Sequence, residues 1–384
     1  MTEKLTGVVE SSENAKKTVF VGMSGGVDSS VSALLLVRAG YHVVGVYMKN
    51  WSEDLPGMKC PWAEDLADAK RVAVRLGIDF EVWDFEKEYR ERVVEYMIAE
   101  FRKGNTPNPD VMCNEEIKFK LFYERALERG ADFIATGHYA RVLDGRLLRA
   151  VDENKDQTYF LYRISREACA RTMFPIGGML KPEVKKLAAE AGLHNAYKKE
   201  SMGVCFVGEV GMKDFLKEYI EAAPGEIREV GSERILGYHD GAVFYTIGQR
   251  HGLYISGVSG EVSDGMPYYV VAKDLERNIV YVSKDLNFAG IWVKELRITD
   301  LVLRDGVSGE ELASRDLTVR LRHRAELIPV EIEFRDFRDG GAVENSENYE
   351  AVLKFEHEIK RPAAGQSAVL YDGEVCVGGG IIAA

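Results

Sequence analysis

Along the chain, the first clear pattern is a short apolar run, Thr18-Val19-Phe20-Val21-Gly22-Met23, entering a glycine-rich turn. Residues 29–39 follow with leucines at helical density (Leu34, Leu35, Leu36) and stop at Gly40. The pattern then gives a buried strand over 41–47, an amphipathic helix over 65–76 closed by Gly77, and a strand over 79–84. Helices over 86–103 and 115–129 and a fourth strand over 132–136 complete the series. Strands alternating with helices of this length predict an α/β domain with a parallel sheet and right-handed crossovers. One more helix is predicted to run from near Pro182, a residue suited to a first helical turn, to Ala191. From about Met212 the alternation breaks into short pieces punctuated by Pro224-Gly225, Gly231, Gly237, Gly241 and Gly248, as in a small mixed connector module. After Ile291, evenly spaced alternating runs (LTVRLRHR, PVEIEF, AVLKFEHEI) predict a closed antiparallel β-barrel. The expected organisation is a flexible leader over 1–16, a nucleotide-binding domain over 17–210, a connector over 211–284 and a barrel over 285–384.

Composition narrows the function classes. Hydrophobic residues make up 46% and charged residues 29%, the balance of an ordinary soluble protein. No run approaches the ~18 apolar residues of a membrane span, and the first sixteen residues lack the basic start and apolar run of a secretory signal. Five scattered cysteines with no C-x-x-C pair exclude a disulfide framework and a zinc site, and suit a reducing cytoplasm. The net charge of −12 disfavours nucleic acid as a partner for the surface at large, but is silent about a local basic face.

Chemistry first enters at Ser24-Gly25-Gly26-Val27-Asp28-Ser29-Ser30, between the first strand and the first helix, where an open α/β sheet binds its ligand. Paired glycines let backbone approach phosphate oxygens, and the helix N-terminus offers unpaired N–H groups. The Walker lysine and the G-x-G-x-x-G spacing are both absent. Two glycines alone would describe any capped turn; the full SGGVDSS string resembles the loop of ATP-pyrophosphatases, which cleave ATP to AMP and pyrophosphate.

A second constellation is Asn108-Pro109-Asp110-Val111-Met112-Cys113-Asn114. Asn114 is the expected N-cap of the next helix, which would put Cys113 at a helix N-terminus where the dipole favours thiolate. Asp110 is near enough to serve as its acid/base group. A third is Lys198-Lys199-Glu200-Ser201-Met202-Gly203-Val204-Cys205, in which two lysines precede a cysteine and would favour its thiolate. Either segment, taken alone, is equally a loop with a buried cysteine.

Taken together, GMSGGVDSS (22–30), MKNW (48–51), PNPDVMCNEEIKF (107–119), TGHYAR (136–141), KDQTYFL (155–161), FPIGGMLKPEV (174–184), GVCFVG (203–208), YTIGQRHGL (245–253) and GQSAVLYDGEVCVGGG (365–380) resemble the bacterial tRNA-specific 2-thiouridylases along essentially the whole chain. The resemblance implies that Gly22, Met23, Ser24, Gly25, Gly26, Val27, Asp28 and Ser29, with Met48 and Gly137, bind ATP, with Mg²⁺ bridging its phosphates. It implies that Cys205 receives sulfur as a persulfide from a sulfur-relay donor protein, and that Cys113 releases that sulfur and forms a disulfide with it. Asp110 is then the acid/base, Asn108, Pro109 and Asp110 meet the target base, and His138, Lys155, Asp156, Gln157, Arg322, His323 and Gln366 meet a tRNA with a wobble uridine. The chain departs from the family at Glu200 and Met202, which stand for Asp and Gln, at His323, which stands for Tyr, and near Ser256, where a Gly is usual.

Three other readings stay open on the residues. One is an ATP-pyrophosphatase-type ligase with no RNA substrate, and another an RNA-binding module with a vestigial nucleotide pocket. The third has Cys113, Cys205 and Asp110 holding an iron–sulfur cluster, although clusters usually take four thiolates. Cys60, Cys169, Cys376 and His42, His194, His239, His251 and His357 are assigned no chemistry.

Overall fold

The computed structural model describes residues 13–54, 60–199, 211–255, 266–285, 291–304, 306–335 and 350–384. The first sheet holds β1 (Thr18–Gly22), β2 (His42–Lys49), β3 (Asp79–Asp84), β4 (Phe133–Ala135) and, after a hairpin of β5 (Arg141–Leu143) and β6 (Arg146–Leu148), β7 (Thr172–Met173). Its order is β3-β2-β1-β4-β7, parallel throughout. The chain winds outward from β1 through β2 to β3, then returns to β4 on the other side. The strand order therefore reverses at β1, which puts a ligand crevice at its C-terminal end. The two-residue β7 and the hairpin are not foreseen from the sequence because neither is long enough to show periodicity.

α1 (Val27–Arg38) leaves that crevice and is buried almost all round, including Ser29, Ser30 and Ser32. Buried hydroxyls need partners, and Ser30 Oγ and Ser32 Oγ donate back to Gly26 O (2.8 Å) and Asp28 O (2.9 Å). α2 (Trp62–Leu76) ends on Gly77 in the left-handed conformation, φ +68°, as its sequence predicts. Residues 13–16, expected to be part of a flexible leader, instead pack on the domain: Asn14 is buried and its Nδ2 donates to Ala39 O at 2.9 Å. Residues 1–12 lie outside the described residues.

The connector carries β8 (Gly225–Glu229), β9 (Ile235–His239), β10 (Tyr269–Asp274) and β11 (Ile279–Ser283) in the order β10-β11-β8-β9. The last domain holds β12 (Trp292–Leu303), β13 (Leu317–Arg320), β14 (Ile328–Arg335), β15 (Glu350–Lys360), β16 (Ser367–Asp372) and β17 (Val375–Ile382). The order β12-β15-β14-β13-β16-β17, closed by β17 on β12, makes a six-stranded antiparallel barrel with no free edge among these strands. The hairpin β5–β6 extends the sheet where Leu148 pairs with Val375, so part of the first domain is stitched into the barrel.

All three domains meet at Thr106. Its N–H donates to Ala364 O (2.7 Å), its carbonyl accepts from Gln366 Nε2 (2.7 Å), and its hydroxyl lies 3.1 Å from that of Thr246. Gly365 is required here: its φ is +89°, and a Cβ would stand 2.9 Å from Thr106 N. Nearby, Lys273 Nζ donates to Gly104 O (2.8 Å) and Tyr245 O (2.7 Å), and burial brings its pKa down to about 8.

Candidate active site

The ATP loop residues expected from the sequence come together at the C-terminal end of β1. Gly25 has φ +76°, and a Cβ there would stand 2.4 Å from Asp65 O of α2, so only glycine fits. Ser29 Oγ accepts from Ser24 N (3.2 Å) and donates to Gly26 O (3.2 Å), which closes the loop on itself. Met48 lies against Gly22, where a Cβ would meet its Cε at 2.9 Å. Gly137 passes so close to the start of α1 that a Cβ would stand 2.5 Å from Ser29 N. The loop, Met48 and Gly137 thus line one crevice at the reversal point of the sheet.

Sequence reasoning missed the cation of this crevice. Lys181, buried at the start of the helix Lys181–Glu190, reaches Asp28 Oδ1 (2.7 Å) and Oδ2 (2.8 Å), and Tyr139 Oη donates to the same carboxylate at 3.1 Å. Its only sequence signal is a lysine immediately before Pro182 in FPIGGMLKPEV, which by itself marks no more than a helix start. The pairing matters because an uncompensated Asp28 carboxylate would repel a triphosphate entering the loop. Lys181→Met is therefore expected to raise the KM for ATP about tenfold or more, measured as pyrophosphate release, since a charged hydrogen bond contributes about 1.5–3 kcal/mol.

The second constellation is helical from Pro109 to Glu128, with the middle stretch Cys113–Leu121 wound as a π-helix in which Phe122 N–H bonds Ile117 O. The cap is Asn108, whose side chain accepts from Asp110 N at 3.2 Å, and not Asn114. The predicted cap fails because Pro109 already starts the helix one turn earlier; Asn114 is buried within it and donates to Phe160 O at 3.0 Å. Cys113 accordingly lies a full turn inside the helix, 2% exposed among Val111, Ile117 and Phe119, and the dipole argument passes to Asp110 in the first turn. Burial pushes the Asp110 carboxyl above its ordinary range, against the pull of the Lys118 ammonium. Asp110 and Cys113 are three residues apart on one helix and so share a face.

His138 joins the two constellations. It follows Gly137 of the ATP crevice, and its ring lies 5.8 Å from that of Phe119, on the helix of Cys113, and 6.2 Å from that of Phe174. Burial and the field of Lys118 hold it well below the usual histidine range, so it is neutral, with Nδ1 2.8 Å from Thr136 Oγ1. Lys118 therefore acts on both Asp110 and His138.

The residues expected to meet tRNA fall into two groups. Lys155 is half-buried, Arg322 is exposed, and His323 stacks near Phe160 with ring centres 4.5 Å apart and its pKa brought down to about 4 by burial. Asp156 requires a correction: it is 2% exposed, and its carboxylate is used internally by Ala150 N, Thr158 and Arg320 of the barrel. Gln157 is also turned inward in part, its Oε1 accepting from Tyr139 N at 2.9 Å. Gln366 holds Thr106, next to Pro107 and the expected base-contact residues Asn108–Asp110. Cys205 lies outside the described residues. Lys198, expected to favour its thiolate, instead has its charge bound by Asp65 (2.7 Å) and Asp68 (2.6 Å).

Residues 17–209 match the family model described as tRNA methyl transferase HUP domain, 213–284 that of the tRNA methyl transferase PRC-barrel domain, and 293–382 that of the aminomethyltransferase beta-barrel domain. The chain is 45% identical over 376 residues, 96% of its own length and 96% of the relative's, to the tRNA-specific 2-thiouridylase MnmA of Pediococcus pentosaceus. It is 45% identical over 376 residues, 97% of its length and 96% of the relative's, to the protein of the same name from Listeria welshimeri. A solved 4-thiouridine synthetase–RNA complex with bound ATP is 18% identical, with a TM-score of 0.34 over 51% of this chain and 46% of that one, a likeness too partial to carry a conclusion.

Proposed function

This chain belongs to the tRNA-specific 2-thiouridylase family, and on that premise we propose that it adenylates the 2-oxygen of a wobble uridine and replaces it with sulfur carried on Cys205. It is an ATP-dependent tRNA sulfurtransferase; the family-model descriptions speak of methyl transfer, but the thiouridylase relatives match at high identity from end to end. The observation that supports one cavity for both half-reactions is His138, which touches the helix of Cys113 while its neighbour Gly137 lies on the ATP loop.

The chemistry follows from the substrate. The 2-oxygen of uracil is amide-like and a poor leaving group. Attack by that oxygen on the α-phosphorus of ATP expels pyrophosphate and leaves an O-adenylated base. The terminal sulfur of a Cys205 persulfide then attacks C2, and AMP departs with the oxygen. Cys113 thiolate attacks Cys205 Sγ, the sulfur stays on the base as the thione, and a Cys113–Cys205 disulfide remains for an outside thiol to reduce. Asp110, whose carboxyl burial holds toward the protonated form, moves the proton at Cys113. Neutral His138 walls the cavity between the two half-sites. An anticodon loop is single-stranded, so its base can leave the stack at low cost to reach such a buried centre.

Mg²⁺ fits the loop in the manner usual for nucleotide enzymes. Among the described residues no group of three or more His, Cys, Asp or Glu could cage a metal, so Asp28 with the ATP phosphates would hold it. When bound, it supplies neutralisation of the phosphate charge. Sulfur reaches Cys205 from a relay donor protein, and the cytoplasm, where ATP and tRNA coexist, is the expected compartment. No helix among the described residues is long and apolar enough to cross a membrane.

The test is incubation with ATP, Mg²⁺, unmodified wobble-uridine tRNA and a sulfide source, followed by nuclease digestion and mass spectrometry. 2-Thiouridine, with one AMP released per thiolation, is expected. RNA-independent AMP release with no thiolated nucleoside would overturn the assignment in favour of a ligase.

A further inference from the structure

The chain enters the stretch carrying Cys205 through residues 193–198, and it is pinned there at two points. Asn195 is 2% exposed, and its Nδ2 donates to Gly25 O and Ser30 Oγ, each at 2.9 Å, in the ATP loop and α1. Three residues later Lys198 Nζ bridges Asp65 Oδ1 at 2.7 Å and Asp68 Oδ2 at 2.6 Å on α2. His194 Nε2 stands 2.9 Å from Asp68 Oδ1, so the carboxylate is held from both sides. Between the two pins Tyr197 is 85% exposed, so polar bonds rather than apolar burial fix the last turn of this segment. The helix that receives Lys198 is itself in register with the ATP loop, because Asp65 O is the atom that a Cβ on Gly25 would strike at 2.4 Å.

The charges agree with a real ion-pair cluster. Burial opposes ionisation of Lys198 and Asp68 alike, yet the bonds of Lys198 to Asp65 and Asp68 raise the lysine, and those of Asp68 to Lys198 and His194 lower the aspartate. The lysine's charge is thereby engaged on α2 and is not available to a thiolate seven residues away.

We propose that Lys198, seated on Asp65 and Asp68, is a positioning residue that fixes where the sulfur-carrying segment leaves the ATP domain and so brings Cys205 to the adenylated base. The proposal rests on the reading of Cys205 as the sulfur carrier. Chain geometry gives it content: from Lys198 to Cys205 is seven residues, at most about 25 Å when fully extended. With Lys198 released, the last fixed point falls back to Asn195, ten residues away, and the limit grows to about 35 Å. Cys205 then samples a larger volume, and its effective concentration at the base drops. The ATP loop keeps its own contact with Asn195, so adenylation is not touched. The two half-reactions should therefore separate on loss of this one ammonium.

The experiment compares wild type, Lys198→Met, Lys198→Arg and the double variant Asp65→Asn/Asp68→Asn, all full-length. Two rates are read: tRNA-dependent pyrophosphate release, and single-turnover 2-thiouridine formation from enzyme preloaded with persulfide. In Lys198→Met, pyrophosphate release and the KM for ATP should stay within about twofold of wild type. Thiolation should fall about tenfold, the factor set by one charge-assisted bond. Lys198→Arg should recover most of the thiolation rate, and the double aspartate variant should reproduce the loss. A parallel fall of both rates would mark a merely structural lysine and overturn the proposal, as would thiolation unchanged in Lys198→Met. Cys205→Ser run alongside separates the two failures: if it still thiolates, the sulfur-carrier reading is wrong, and if it is inactive, the failure belongs to the positioning role of Lys198 alone.

Discussion

Cys113→Ser and Cys205→Ser are each expected to lower 2-thiouridine formation by roughly 10³-fold or more while tRNA-dependent pyrophosphate release continues. The reason is chemical rather than steric. A serine hydroxyl cannot carry sulfane sulfur, and its oxygen does not enter thiol–disulfide exchange, so Cys205→Ser stops loading and Cys113→Ser stops release. The intermediates should differ accordingly. Cys113→Ser should trap tRNA on the enzyme through a base–sulfur–Cys205 linkage, visible as a thiol-reversible band shift, and Cys205→Ser should show none. Because Cys113 is 2% exposed among Val111, Ile117 and Phe119, a hydroxyl there also costs about 1–3 kcal/mol of stability in desolvation. Retained pyrophosphate release is thus the needed control for folding. Wild-type thiolation in either variant would remove the two-cysteine scheme and leave the adenylation half standing.

What the sequence made legible depended on how locally each feature is encoded. The ATP loop was readable because its glycines answer to backbone demands within a few residues: Gly25 has a positive φ and no room for a Cβ. The parallel sheet was readable because its longer strands and helices alternate in sequence, and the barrel because its strands alternate in polarity. Lys181 was not, since its partner Asp28 is 153 positions away and only the fold brings them to 2.7 Å. The cap at Asn108 was missed for a different reason: two asparagines, Asn108 and Asn114, stand close enough to compete, and Pro109 decides between them. Asp156 shows the limit of motif matching. Its place in KDQTYFL suggested a role on RNA, but a carboxylate that accepts from Ala150 N, Thr158 and Arg320 has no oxygen left for a ligand.

That carboxylate is the basis of the second large expected effect. Arg320→Met should lower stability by about 3–5 kcal/mol, because it leaves Asp156 buried and charged without its cation. The pair is 2.6 Å long with side chains 6% and 1% exposed, and it crosses from the barrel strand β13 to the nucleotide-binding domain. The guanidinium also lies over the Tyr371 ring at 5.5 Å, and the Tyr371 hydroxyl is 3.0 Å from Thr158 Oγ1, so one arginine secures several groups on both sides of the boundary. In a thermal scan the loss should appear as a fall of about 6–10 °C, or as an early separate transition if the barrel uncouples from the rest. Asp156→Asn should also destabilise, since it sets an amide against the arginine, whereas the double variant Asp156→Asn/Arg320→Met should recover part of the loss. Lys155 and Gln157 flank Asp156, so tRNA affinity should weaken in the single variants while the KM for ATP holds. An Arg320→Met protein as stable as wild type, with unaltered tRNA binding, would show that this boundary is held by its apolar contacts and by the β6–β17 pairing instead, and that the buried pair contributes registry without stability.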